Sequence, residues 1–349
     1  MTYGEPCTRY SDRWIPSGTP LGKEAIVKLP FFSELDKAHT ILIAGAGGGF
    51  DIFSGLPLYF GLRQAGKHVY LANLSFSLLQ AATGRWLTPA TLEVTADSEV
   101  RTPYFPEVHL CHWFRTQGEE VSITCFDRTG FAPVLEGYRA LVAELQPDTI
   151  ILVDGGTDSL MRGDEQGLGT PEEDIVSIAA VDELKVVRKY LVCLGFGVDA
   201  FHGVCHVHAL ETVAELTRQG GFLGAYSLLH EMPEVQRYEQ ASQAVFEAMP
   251  MHPSIVTGSI LSALEGHYGD YHRTARTQGS TLWINPLMAM YWCFHLEPLA
   301  RRILYLDDIK QTQDYGEVMD AIDAFRDRCE AIRERTLLPD ASLSRRTRR

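Results

Sequence analysis

The sequence predicts a three-layer α/β/α sandwich, with a mostly parallel, Rossmann-like sheet and a helical C-terminal elaboration. Three observations predict it. Strand-like runs of β-branched and apolar residues alternate with helix-periodic stretches through the first two thirds of the chain. The strongest runs end in glycine-rich or acid-rich turns, as strands do at the C-terminal edge of a parallel sheet, where ligands bind. From about residue 229 onward the pattern is largely helical.

Residues 1–37 read as an irregular arm on the surface. The first strand, His39-Thr40-Ile41-Leu42-Ile43-Ala44, runs into Gly45-Ala46-Gly47-Gly48-Gly49-Phe50-Asp51 and a helix over residues 51–65. A strand over 67–74 closes a βαβ unit. About thirty-five residues without clear periodicity follow, through Thr88, Pro89 and Pro103-Tyr104-Phe105-Pro106, and a loop of that length is usually functional or a lid. A strand over 121–125 and a helix over 134–145 lead to Thr149-Ile150-Ile151-Leu152-Val153, a run typical of a buried parallel strand. A helix begins at Pro171 and extends to about Leu184, its first turn carrying Glu172, Glu173 and Asp174 as the helix dipole favours. A strand over 189–195 and a helix over 204–218 come next. Helices are then expected over 235–249, 254–265, 287–302 (with Asn285 as cap and Pro286 in the first turn) and 315–335. No internal repeat or Pro/Gly/Ser-rich linker interrupts this order. It implies one α/β domain over 38–335, helical from about 229, followed by a disordered basic tail over 336–349.

Bulk properties exclude several function classes. The formal charge of −14 argues against nucleic acid, which needs a basic face. No apolar run reaches the ~18–20 residues of a membrane span, and the first residues lack the basic and apolar blocks of a signal peptide. Cytoplasmic residence without membrane attachment is the expectation. Seven cysteines, an odd number without a C-x-x-C, fit buried free thiols better than disulfides or a thiolate zinc site. The expected partner is a small-molecule ligand, and a homo-oligomer is compatible with the sequence.

The richest segment is Asp154-Gly155-Gly156-Thr157-Asp158-Ser159-Leu160-Met161-Arg162-Gly163-Asp164-Glu165. Carboxylates this close repel unless they meet a metal, a cation, a polyol or a proton. Asp154 and Asp158 are the candidate ligands of a divalent cation, or of substrate hydroxyls, with magnesium or manganese suited to oxygen donors. Asp164 and Glu165 are candidates to complete the shell or act as acid and base. Arg162 has the fork geometry for an anionic group, and Gly155, Gly156 and Thr157 offer backbone contacts. The competing reading is a solvated acidic turn whose aspartates bind backbone amides.

The glycine turn is the second candidate element. Gly45, Gly47, Gly48 and Gly49 let backbone N–H groups approach an anion. Asp51 is either the first acid of the following helix or a group facing the pocket. The turn departs from the dinucleotide fingerprint: the third glycine position holds Phe50, and the second strand ends at Ala72-Asn73, without the ribose-binding acid, so NAD is not expected. Asn73 is instead placed among the substrate contacts. Gly61 to Lys67 matches a phosphate loop apart from His68 in the hydroxyl position. Its helix-then-strand context is reversed, so Gly66 reads as a helix C-cap.

A third cluster, Gly197-Val198-Asp199-Ala200-Phe201-His202-Gly203-Val204-Cys205-His206-Val207-His208, places His202 and His206 at helical spacing. His202 is a candidate catalytic residue and His206 a substrate contact. With His208 they would make a zinc site, although no H-E-x-x-H is present; helix-start packing is the alternative. A histidine- and arginine-rich stretch over 266–277 reads either as a loop closing over the ligand or as a solvated connector.

The chain resembles a family of archaeal, bacterial and lower-eukaryotic proteins known only as a domain of unknown function. The resemblance rests on Ala44-Gly45-Ala46-Gly47-Gly48-Gly49-Phe50-Asp51 with Gly55-Leu56-Pro57-Leu58, on Asp154-Gly155-Gly156-Thr157-Asp158 with Arg162-Gly163-Asp164-Glu165, and on Gly169-Thr170-Pro171. It covers residues 35–335 and implies one compact domain, leaving the chemistry open. The residues themselves point to an enzyme acting on a small polar, nucleoside-, nucleotide- or sugar-phosphate-like substrate by hydrolysis or group transfer. Two alternatives stand beside it: a non-catalytic ligand sensor or scaffold subunit, and a zinc hydrolase centred on the three histidines.

Overall fold

The computed structural model describes residues 28–337. Its eleven strands are β1 Thr40–Gly45, β2 His68–Ser75, β3 Arg85–Thr88, β4 Thr91–Val94, β5 Ile123–Asp127, β6 Thr149–Asp154, β7 Arg188–Cys193, β8 Phe222–Ser227, β9 Gly269–Asp270, β10 Trp283–Ile284 and β11 Met290–His295. Nine form one sheet in the order β3-β4-β5-β2-β1-β6-β7-β11-β8, and β9 pairs with β10 alone. The five central strands, β5 to β7 in that order, run parallel. Antiparallel strands extend both flanks.

Strand periodicity sends alternate residues to opposite faces. On β1, Ile41 and Ile43 join one core layer while Leu42 and Ala44 join the other. The same parity splits Ile151 and Val153 from Ile150 and Leu152 on β6. Helices cover both faces, so the chain has the expected Rossmann-like α/β/α architecture. Helix Phe131–Leu145 buries Phe131, Val134, Leu135, Tyr138 and Leu141, an apolar stripe at helical spacing, and ends on Gln146 in the left-handed region at φ 51°. A Cβ on its Gly137 would lie 2.2 Å from Thr91 Oγ1 and 2.9 Å from Phe126 Cδ1. Gly137→Ala is therefore expected to destabilise by about 1–3 kcal/mol through overpacking. A lowered urea midpoint checks this, and an unshifted midpoint means the helix can slide off the strand.

Several expected elements differ. The residues after β2 are not a structureless loop. They form the β3–β4 hairpin and helix Pro106–Thr116, whose Val108, Leu110, Cys111 and Phe114 pack on the sheet. The helix predicted over 287–302 is mainly β11: Tyr291 and Cys293 are buried at a two-residue period, and Asn285 caps only a short 3₁₀ turn. β8 was likewise not anticipated. The last helix stops at Asp327, and the segment beyond it crosses the surface as a strap, bridging at Arg333 to Glu165. Of the arm expected over 1–37, residues 1–27 lie outside the described residues. The described end is helical at Pro30–Leu35, with Phe31 and Leu35 buried. Residues 338–349 of the expected tail also lie outside. Gly66, at φ 78°, follows helix Leu56–Gln64 as a cap and cradles nothing. Five cysteines are free and buried, Cys329 is free and half-buried, and Cys7 is outside the described residues. Among the described residues no helix is long and apolar enough to cross a membrane.

Candidate functional site

Strand order builds the site. β2 lies on one side of β1 and β6 on the other, so connections leave β1 in opposite directions and a crevice opens at the strands' C-terminal ends. The glycine turn after β1 and the acidic turn after β6 flank that crevice. A cleft of about 510 Å³ results, with Gly47, Gly48, Gly49, Asp51, Asp154, Asp158 and His202 of the expected residues in its wall. Three further acids, Glu173, Asp174 and Asp199, line it with them.

Asp51, Asp154 and Asp174 each bring one carboxylate oxygen to within 4.8 Å of the others. Gly47 N–H donates to Asp51 Oδ2 at 2.7 Å, and Ser159 Oγ donates to Asp154 Oδ2. Asp174 is 3% exposed and its Oδ1 is buried without a hydrogen-bond partner. Glycines make this approach feasible: a Cβ on Gly47 would come within 2.7 Å of Asp174 Oδ1, and one on Gly155 within 2.6 Å of Asp51 Oδ1. Beside the trio, Asp158 Oδ2 accepts from Thr170 N (2.9 Å) and Oγ1 (3.1 Å), and Asp199 Oδ2 accepts from Thr157 N at 2.6 Å.

The electrostatics follow from burial and crowding. Burial first, then the charge of Asp158, pushes Asp154 up to about 8. Burial and the charge of Asp154 hold Asp51 and Asp174 well above the usual carboxylate range. Burial also raises Asp158 and, with the Asp158 charge, raises Asp199 well above that range. Glu173 is pushed up to about 7, mainly by burial. Without a cation the cleft must therefore keep protons that isolated carboxylates would lose at neutral pH. A divalent cation is the alternative occupant. Three converging oxygen donors suit a hard divalent cation.

Other expected residues are placed elsewhere. Asp164 and Glu165 do not line the cleft. Asp164 accepts from Arg162 Nε and Arg333 Nε, both at 2.9 Å; Glu165 is 0% exposed and accepts from Arg333 Nη2 at 2.6 Å and Gly163 N at 2.8 Å. Asp164 and Glu165 are thus engaged by Arg333 of the strap, and the Arg162 guanidinium is engaged by Asp164, away from the cleft. Asn73 lies behind the glycine turn, donating to Gly49 O (3.0 Å) and to buried Glu107 (2.8 Å), and Gly45 abuts it. Gly155, Gly156 and Thr157 support Asp51 and Asp199 from behind. His206 stacks on Phe196 with ring centroids 5.3 Å apart, and His208 is buried in its helix. Among the described residues no three-ligand group contains His202, His206 or His208, so the zinc centre is not assembled.

Sequence reasoning missed Asp174, Glu173 and Asp199 as cleft residues because each has a local excuse as a helix-start acid. The available signal was redundancy: three acids in the first turn after Pro171 exceed what a helix dipole needs.

Fold and site together define a Rossmann-like α/β protein with a buried carboxylate cluster at the sheet's ligand-binding edge, an arrangement consistent with catalysis or ligand binding. The chain belongs to the DUF1152 family, described as "Protein of unknown function (DUF1152)", whose model matches residues 83–338. The match takes in the acidic turn, Glu173 and Asp174, while the glycine turn precedes it. No curated protein and no solved structure matches the chain.

Proposed function

We propose that the protein is an enzyme of hydrolysis or group transfer, dependent on magnesium or manganese, acting on a small polar molecule of the nucleoside, nucleotide or sugar-phosphate kind. One observation carries the reading: Asp174, whose Oδ1 is sealed from solvent and unpartnered, brings a carboxylate oxygen to within 4.8 Å of oxygens of Asp51 and Asp154. Burying an acceptor without a partner costs free energy, and a cation removes that cost.

In this reading Asp51, Asp154 and Asp174 would hold the cation, and the chemistry it would supply there is Lewis-acid polarisation of a substrate oxygen. Asp158 and Asp199, fixed by backbone amides, orient substrate hydroxyls or the attacking water. Glu173, pushed up to about 7 and lining the cleft, is the residue best matched to moving a proton near neutral pH.

The test is a product-detecting screen of nucleosides, nucleotides and sugar phosphates with Mg²⁺ or Mn²⁺. Asp154→Asn is expected to lower turnover by at least about 100-fold, since even groups behind metal ligands are worth 10- to 100-fold. Tight ligand binding with no product over hours would instead make the protein a sensor or scaffold subunit.

A further inference from the structure

Two arginines without a carboxylate partner stand in or beside this acidic cleft: Arg276 lines it, and Arg128 lies over Phe76 of its wall. Arg128 follows β5 at the same sheet edge. Its guanidinium carbon lies 4.5 Å from the Tyr315 ring centroid and 5.1 Å from that of Phe76. Among the described residues it makes no ion pair, whereas Arg162, Arg302 and Arg333 are each paired with acids. Arg276 lines the cleft, and its side chain is held by Pro253 O at 2.7 Å. An unpaired guanidinium beside so many acids should fold onto one of them. Here rings and a carbonyl hold both cations off the acids.

The glycine turn connects the two. The Phe76 ring, which carries Arg128, lies against it: a Cβ on Gly48 would come within 2.3 Å of Phe76 Cε1. The Tyr104 hydroxyl lies 3.3 Å from a Cβ built on Gly49, and the Arg276 charge acts on that hydroxyl. Gly48 and Gly49 have φ of 98° and 60°, and among the described residues their N–H groups donate to no acceptor. Successive free amides in such a turn make an anion-sized concavity.

We infer that Arg128 and Arg276, with the Gly48 and Gly49 amides between them, receive the phosphate monoester of the substrate. The metal-binding carboxylates then face its reacting part. The inference rests on the metal-dependent reading of the same cleft and narrows its substrates to phosphorylated ones. It also moves the anion-binding role from Arg162, whose guanidinium is paired with Asp164.

The experiment is calorimetric titration of the full chain with Mn²⁺, then of the Mn²⁺-loaded protein with inorganic phosphate, AMP and adenosine. Wild type is expected to bind AMP at least tenfold more tightly than adenosine. Arg128→Ala and Arg276→Ala should each erase most of that difference while leaving Mn²⁺ affinity unchanged. Arg128→Lys should restore only part of it, because an ammonium lacks the guanidinium fork. Inorganic phosphate binding as tightly as AMP assigns the site to free phosphate; weaker binding assigns it to an organic monoester. Equal affinity for AMP and adenosine in the wild type, or an unchanged AMP preference in both alanine variants, overturns the inference. A wild type that takes AMP but not Mn²⁺ overturns the metal reading instead and leaves the arginine site standing. Should Arg128→Ala fail to fold, Arg276→Ala carries the test, since Arg276 lies on an exposed turn.

Discussion

Asp174→Asn is expected to abolish Mn²⁺ binding and, in the metal-free protein, to raise the melting temperature. Asn keeps the shape and one oxygen but removes the charge that a hard cation requires. The metal-free protein gains because Asp174 is a desolvated acid crowded by Asp154, Asp158, Asp51 and Glu173. Neutralising it relieves that repulsion and lets Asp154 and Asp51 ionise more easily. For a chain of this size each kcal/mol recovered is worth roughly 2–4 °C. The pH dependence has a definite sign. Asp154 rises from its ordinary 3.8 to about 8 in the fold, so the stability linked to its proton is complete below about 3.8. That stability is lost as pH rises through about 8. Metal-free wild type should therefore melt lower at pH 8.5 than at pH 5.5, and Asp174→Asn should flatten the slope. Saturating Mn²⁺ should reverse the slope in wild type, because the cation needs ionised ligands and stabilises only the folded state. Differential scanning fluorimetry across pH, with and without Mn²⁺, reads both effects. A variant that still binds Mn²⁺ normally, or melts lower than wild type without metal, removes the trio as a cation site.

Arg333→Ala is expected to be the most destabilising single change outside the hydrophobic core. Arg333 pairs with Asp164 (2.9 Å), Glu165 (2.6 Å) and Glu211 (2.7 Å), and its backbone bridges Glu165. Glu165 is 0% exposed, so losing the guanidinium strands a buried charge. Breaking a fully buried pair from one side costs about 3–5 kcal/mol; with Arg333 itself a third exposed, about 2–4 kcal/mol is expected here. Arg301→Ala is the control. Its i,i+4 pair with Glu297 is two-thirds exposed and should matter by under about 0.5 kcal/mol. Urea denaturation at pH 7 separates them, and equal midpoints would falsify the clamp. This clamp also titrates against the cleft. Burial alone would raise Asp164, yet hydrogen bonds from Arg162 and Arg333 hold it down to about 2. Its stabilisation is thus present above about 3.8 and lost as pH falls toward 2.

Much of this was legible locally. β1 and β6 announce themselves as apolar β-branched runs, and each passes straight into its turn, so both turns were assignable to the sheet's ligand-binding edge. Asp51 and Asp154 were nameable for that reason. Asp164 and Glu165 stand outside the cleft although they follow Asp154 closely in sequence, because sequence proximity is not spatial proximity. The chain turns away after the short helix Asp158–Leu160, and the two acids meet Arg333, which lies far along the chain. β11 was hidden because Met, Tyr, Trp, Cys and Phe in succession satisfy helical and strand burial equally well over six residues.

The amino-acid order alone was enough for the fold class, the parity that sends Ile41 and Leu42 to opposite layers, and the position of the two turns. These depend on interactions between near neighbours along the chain. Which acids share one cleft was decided by the pairing of β1 with both β2 and β6 and by the docking of helix Pro171–Asp182 beside them. Charge coupling and ligand geometry act through space over a few ångströms, and only the assembled sheet brings Asp51, Asp154 and Asp174 that close.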